Sequence, residues 1–442
     1  MRRFSVTAAT ALIALHGTPA DAQSANQPAP MTAAARPADP DGNDDAPSPA
    51  PATAAALPAH MRFTRIGRAP RSLRRICAIT AFHDALYLAH ANAPLGSDGA
   101  TVTSYMPGAS PTFRLVFDWN RPGQPAAGGG AGQGFLRIHA IDGRLWVPDA
   151  DPPYAGFGYV YGGTEGYVYV SDHRGNFAPA RGPHLRPPGA PDAVDRAGAA
   201  VLPRAYHVID VIRFRGAIYA STGSVPPGER PWYGASPGAL HVANDTLSRF
   251  TYQADYPYPY ASGVWRLTYM VRFRGRLYAG IQDYDGREPN DFVVIDPPAD
   301  HARVQREDIR GVRVTSRGGA LTLRWFADAG RLYWLGFERS GTVDLRVTDD
   351  GDHWTTIALP AEAGRPVDIQ RYRGALVVLT ERALLRVDGG RASIVASVTD
   401  ARSPFGLTDV FCAAPLGVLG DGLYAGGQRD GALYRVDPDA TP

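Results

Sequence analysis

Arg137, His139, His207, Arg266, Arg324, Asp368 and Asp409 are the residues whose types could do chemistry on an anion. Guanidinium groups and imidazoles favour a carboxylate, sulfate or phosphate through charge-assisted hydrogen bonds. The same side chains could equally satisfy one another across adjacent strands, with Asp210 or Asp409 taking an arginine or backbone amides. Hydrolytic chemistry would need two carboxylates, one with a raised pKa. Asp149, Asp151, Glu165, Glu229, Asp283, Asp285 and Glu288 all lie in long loops and could act with His139 or His207, and spacing singles out no pair. Asp283-Tyr284-Asp285-Gly286 starts like a calcium loop but lacks the rest of the ligand series, so no cofactor is expected and calcium is only hinted at. Neither His-Glu-x-x-His, Gly-x-Ser-x-Gly nor a phosphate-cradling glycine loop occurs in context.

A second group could bind rather than react. Trp232 and Tyr233 follow Pro231 in a turn-rich stretch, and flat rings with a polar edge suit sugars or peptide segments. Tyr154, Phe157, Tyr256, Tyr258, Tyr260 and Trp265 enrich the same part of the chain, whereas Tyr159, Tyr161, Tyr167 and Tyr169 alternate as strand residues do. The ligand-binding candidates are therefore Arg137, His139, His207, Trp232, Tyr233, Arg266, Asp283 and Asp285, and the expected partner is a glycan, a peptide or another protein. All 45 basic residues are arginine, the formal net charge is +2, and no polybasic block stands out, which argues against a nucleic-acid partner.

The elements that must position these residues announce themselves by repetition. Phe214-Arg215-Gly216-Ala217-Ile218-Tyr219-Ala220 returns as Phe273-Arg274-Gly275-Arg276-Leu277-Tyr278-Ala279. Looser copies surround Leu86, Leu145, Leu332, Leu376 and Leu423. Each copy is an apolar strand, a tight turn at Gly or Asp-Gly, and a second alternating strand, which is the pattern of a β-hairpin. The markers lie 44 to 73 residues apart, enough for one four-stranded propeller blade plus loops, and no interval carries a 3.6-residue apolar period. The expectation is an all-β, seven-bladed β-propeller with four-stranded antiparallel blades. The last copy lacks an outer strand before the chain ends, so Arg62 to Ile66 is expected to close the ring. Blades one to four carry long loops after their second strands, and the expected site lies on that face, over blades two to four.

Residues 1–22 read as a signal peptide: Met1-Arg2-Arg3, an apolar run to Leu15, and a small-x-small pattern at Ala20-Asp21-Ala22. The run is too short for a stable membrane anchor. Residues 23–60, rich in Ala and Pro, read as a disordered linker, and 61–442 as the propeller. Cys77 and Cys412 fall on or beside the first strands of the first and last blades, neighbours in a closed ring, and an exported chain makes a disulfide between them sensible. A periplasmic or extracellular monomer is expected.

Asp349-Asp350-Gly351-Asp352-His353-Trp354 resembles the Asp-box, the Asp-x-Gly-x-x-Trp hairpin of sialidase-like propellers, with Val347 where a serine usually stands. Ser171-Asp172-His173-Arg174-Gly175-Asn176-Phe177 is a degenerate second copy. The resemblance implies a structural turn on the blade periphery. It implies no activity, because the arginine triad, Tyr-Glu pair and acid Asp of catalytic sialidases have no matching positions here. The sequence thus points first to an exported ligand-binding module, and second to a carbohydrate-active hydrolase or lyase.

Overall fold

A computed structural model describes residues 56–69, 73–92, 99–119, 134–149, 154–155, 158–159, 165–178, 195–203, 205, 207–223, 238–256, 265–283, 286–298 and 303–439. The expected signal peptide and nearly all of the expected linker lie outside them. The described residues form an all-β propeller arrangement, with two 3-10 turns and no α-helix.

Seven antiparallel hairpins supply the inner strands. They pair Arg75–Phe82 with Ala85–Ala91, His139–Ile141 with Arg144–Pro148, His207–Phe214 with Ala217–Gly223, and Trp265–Phe273 with Arg276–Asp283. Leu321–Asp328 pairs with Arg331–Phe337, Pro366–Tyr372 with Ala375–Thr380, and Leu416–Leu419 with Gly422–Gly426. The turns explain the repeat. Their second position is Gly143, Gly216, Gly275, Gly330 or Gly374, at φ between 68 and 74°. The first position is also left-handed, at φ near 50°, and in six hairpins it is not glycine: His83, Asp142, Arg215, Arg274, Ala329 and Arg373. Two consecutive left-handed residues match the twist of paired strands, so five of the seven turns keep one glycine and tolerate strain at the other position, while His83-Asp84 has no glycine.

Five four-stranded sheets stand apart, and the third and fourth hairpins share one eight-stranded sheet. The described sheets therefore do not divide into the seven separate ones expected. The join is a single pair, Gly223 with Arg266. A Cβ at Gly223 would sit 2.3 Å from Arg266 Cγ, so the missing side chain is what lets the two ladders touch. Outer strands follow the expected bounds with small shifts. The outermost strand of the third set starts at Phe250 rather than Leu247, because Asn244 Oδ1 accepts from the amides of Ser248 and Arg249 and holds those residues in a turn.

Each inner strand packs against the next hairpin's inner strand, and Leu416–Leu419 packs against Arg75–Phe82. Met61–Arg68 pairs with Ala432–Pro438 as the outer strand of the last sheet. The disulfide between Cys77 and Cys412 is formed, with 335 residues between its ends and both cysteines fully buried. Core residues fill the spaces between sheets. Phe292, Trp325, Trp334 and Trp354 pack with ring centroids 5.1 to 6.4 Å apart.

Both Asp-box-like turns follow the third strand of their sheets, after Val343–Thr348 and after Glu165–Val170. Asp350 Oδ1 accepts from the amides of Asp352 and His353, and Asp172 Oδ1 accepts from those of Arg174 and Asn176.

Candidate functional site

Counting back four residues from the last residue before each hairpin turn gives Ala78, Arg137, Asp210, Tyr269, Arg324, Asp368 and Pro415. All seven line one cavity of about 310 Å³ between the inner strands. A β-bulge precedes Ala78, Asp210, Arg324 and Asp368 in their ladders, and such a bulge re-aims the residue that follows it. The same seven-fold register position thus becomes a ring of inward-facing side chains.

Two aspartates in this ring act as matching clamps. Asp210 Oδ1 accepts from the Val211 amide at 3.0 Å and from His139 Nε2 at 2.6 Å, and its Oδ2 accepts from the Met270 amide at 2.8 Å. Asp368 Oδ1 accepts from the Ile369 amide at 2.8 Å and from Arg324 Nε at 3.0 Å, and its Oδ2 accepts from the Leu416 amide at 2.6 Å. Each carboxylate therefore caps its own bulge, holds the following inner strand, and takes a base from the preceding one. Burial pushes the Asp368 carboxyl up to about 7, against the pull of the Leu416 and Ile369 amides and the charge of Arg137.

The arginines are anchored from below. Arg324 Nη2 donates to the carbonyls of Cys77 and Ala413 at 3.0 and 3.2 Å, so the guanidinium rests on backbone flanking the disulfide. Its Nη1 is buried with no hydrogen-bond partner in the chain. The Arg137 guanidinium lies 3.4 Å from the centre of the Tyr269 ring, and its Nη2 donates to Leu323 O at 3.4 Å. Tyr269 in turn donates to Phe411 O.

The expected site residues divide into groups. Arg137 and His139 share the cavity with Arg324 and Asp368. His207 and Arg266 lie seven residues before their turns, at the starts of the inner strands; they pair with each other, Arg266 Nη2 donating to His207 Nε2 at 3.0 Å, and neither lines the cavity. The Arg266 guanidinium lies 5.8 Å from the Phe411 ring, on the stretch between the sixth sheet and the last hairpin. Asp409 pairs with Arg75 at 3.1 Å. Asp283 Oδ2 accepts from the amides of Arg287 and Glu288 at 2.6 and 2.8 Å, which is turn-holding work. Trp232, Tyr233 and Asp285 lie outside the described residues. Among the described residues no group of three or more His, Cys, Asp or Glu could hold a metal, and no helix is long and apolar enough to cross a membrane.

Sequence reasoning missed Tyr269, Thr80 and Gln370 as cavity residues. The signal was present in the alignment of the seven copies on their turns. It is invisible unless the position four before the turn is compared across all of them, because its residue types share nothing.

No family model matches the chain, and no curated protein matches it in sequence. Solved structures do resemble it. The extracellular domain of a hybrid two-component system from B. thetaiotaomicron aligns over 85% of this chain and 39% of its own length, at 10% identity and a TM-score of 0.50. Raptor of Chaetomium thermophilum aligns over 86% of this chain and 30% of its own, at 12% identity and 0.46. The computationally designed Ika8 protein aligns over 84% and 98%, at 10% identity and 0.43. This chain thus spans well under half the length of the first two. At these identities the likeness speaks of fold alone.

Proposed function

We propose that the chain is an exported seven-bladed propeller that works as a ligand-binding module, with its ligand held in the cavity between the inner strands. Counting seven blades treats the eight-stranded sheet as two blades joined at one residue pair. Support for a closed ring comes from the packing of the last inner strand on the first and from the outer strand Met61–Arg68. The buried disulfide supports export, because such bonds persist in oxidising compartments. The turns at Asp172 and Asp350 are read as Asp-box hairpins, on the strength of the carboxylate that caps successive amides in each.

The observation that carries the binding reading is the convergence of one register position from all seven hairpins on a polar, arginine-bearing cavity. The cavity is lined by polar and charged side chains where the spaces between the sheets are filled by apolar ones. Trp232 and Tyr233, outside the described residues, stay the sequence's candidates for contact with a glycan, peptide or protein partner. The test is a thermal-shift and glycan-array screen of the full chain beside Arg137→Gln and Trp232→Ala with Tyr233→Ala. Loss of binding in Arg137→Gln places the ligand in the cavity, and loss only in the aromatic variants places it on the loops. A screen in which no compound shifts the melting temperature or binds would refute the reading.

A second reading, hydrolysis or lyase chemistry, is favoured by the 2.6 Å contact between His139 and Asp210, which fixes an imidazole at the cavity. Among the described loop carboxylates, Asp283 and Glu288 are engaged by neighbouring amides, so this reading rests on His139 instead. Turnover of a polysaccharide that survives His139→Ala unchanged would remove it.

A further inference from the structure

We infer that this cavity is built for a small monocarboxylate, read by Arg137 and Arg324; this deepens the binding reading above and rests on it. The argument is an inventory of hydrogen-bonding capacity. On the acceptor side, both oxygens of Asp210 and both oxygens of Asp368 already receive protons from amides, from His139 or from Arg324. Gln370 Oε1 likewise receives the Arg371 amide, at 2.9 Å.

On the donor side the capacity is unspent. Arg324 Nη1 carries two N–H groups, is buried, and has no acceptor in the chain. Arg324 is 6% exposed and lines the cavity. Arg137, which also lines the cavity, is held by one long bond from Nη2 to Leu323 O and by the Tyr269 ring. The amide nitrogen of Gln370 is a further donor once its oxygen is engaged. A buried guanidinium N–H without an acceptor costs about 1–3 kcal/mol, so a site left in this state is waiting for an acceptor from outside.

Charge decides which acceptor. Two guanidinium groups face two aspartates at one cavity, and a dianion such as phosphate would meet both carboxylates. A monoanion adds one negative charge that two arginines can share, and the high pKa of Asp368 lightens the repulsion further. Size decides the class. A cavity of about 310 Å³ has room for about ten waters, hence for a ligand of about ten to a dozen heavy atoms, the size of a hydroxy acid or a hexuronate.

The experiment is calorimetric titration of the full chain at neutral pH with lactate, gluconate and glucuronate, beside glucuronamide and inorganic phosphate. At least one of the acids should bind. Glucuronamide and phosphate should each bind at least about tenfold more weakly than the best acid, as expected when a charge-assisted bond is lost or a second charge is added. Arg137→Gln should weaken that acid by about tenfold to a hundredfold, and Arg137→Lys should restore part of it. The comparison of glucuronate with its amide needs no variant, so a misfolded Arg137→Gln would not rescue the idea. Equal binding of acid and amide would overturn the carboxylate assignment while leaving the cavity a ligand site. Binding of neutral glycans or peptides alone, with no acid bound at millimolar concentration, would do the same. Failure of every compound in both screens would take the binding reading down as well.

Discussion

The two aspartate clamps make a quantitative prediction about stability. Replacing Asp210 by Ala strands the buried Val211 and Met270 amides, each at a cost of about 1–3 kcal/mol, so the expected loss is about 3–5 kcal/mol. Asp210→Asn keeps one acceptor and turns an NH2 group toward the other amide, which should cost about 1–3 kcal/mol. Asp368→Ala should be worse than Asp210→Ala. It strands the Ile369 and Leu416 amides and also leaves the Arg324 guanidinium without its counter-charge at a site where its side chain is only 7% exposed. His139, the partner of Asp210, is by contrast 33% exposed, so losing Asp210 leaves no buried charge behind it. With an unfolding entropy of about 2.1 cal/mol/K per residue over roughly 300 described residues, 4 kcal/mol corresponds to about 6 °C in Tm. The assay is urea unfolding of the oxidised protein, followed by tryptophan fluorescence and far-UV circular dichroism, with coincident transitions required before a free energy is assigned. Losses below about 1 kcal/mol in both Ala variants, or Asp210→Ala exceeding Asp368→Ala, would refute the clamp argument.

Three further outcomes follow from the same structure. Unfolding in denaturant without reductant should expose no free thiol, and Cys77→Ser with Cys412→Ser should lose about 2–5 kcal/mol, the usual worth of a native disulfide closing a long loop; two reactive thiols in the unreduced protein would contradict the bond. Burial holds His90 and His241 at about 4, below the ordinary value of about 6.5, so the unfolded chain takes up protons first. Stability should be fully present above about pH 6.5 and fall as pH drops toward 4, by up to about 3 kcal/mol per histidine, and His241→Asn should flatten that slope in pH-dependent melting. At the fifth hairpin, Ala329→Gly should stabilise by about 0.5–1 kcal/mol by relieving a left-handed residue, while Gly330→Ala should destabilise by about 1 kcal/mol although nothing lies within 4 Å of the added carbon; no change in either variant would show that the turn carries no backbone strain.

The sequence by itself determined the local units. Alternating apolar residues around a left-handed turn can make only a hairpin, and seven copies of Phe-Arg-Gly-type turns fixed where the inner strands end. It made a bond between Cys77 and Cys412 sensible, but left two separate buried thiols open, and only the structure brings the two together. What it could not determine was depth along the inner strand. Arg137 and His139 looked equivalent to His207 and Arg266 as residues near strand starts, yet three to five residues of strand separate the two pairs. The bulges before Asp210, Arg324 and Asp368 decide which side chain turns inward, and a bulge is set by packing between neighbouring sheets rather than by local composition. Tyr269 beneath Arg137, and the carbonyls of Cys77 and Ala413 beneath Arg324, come from sequence positions up to 247 residues away. Only closing those distances puts the unspent N–H groups at one cavity, because a hydrogen-bond inventory exists only once every partner is in place.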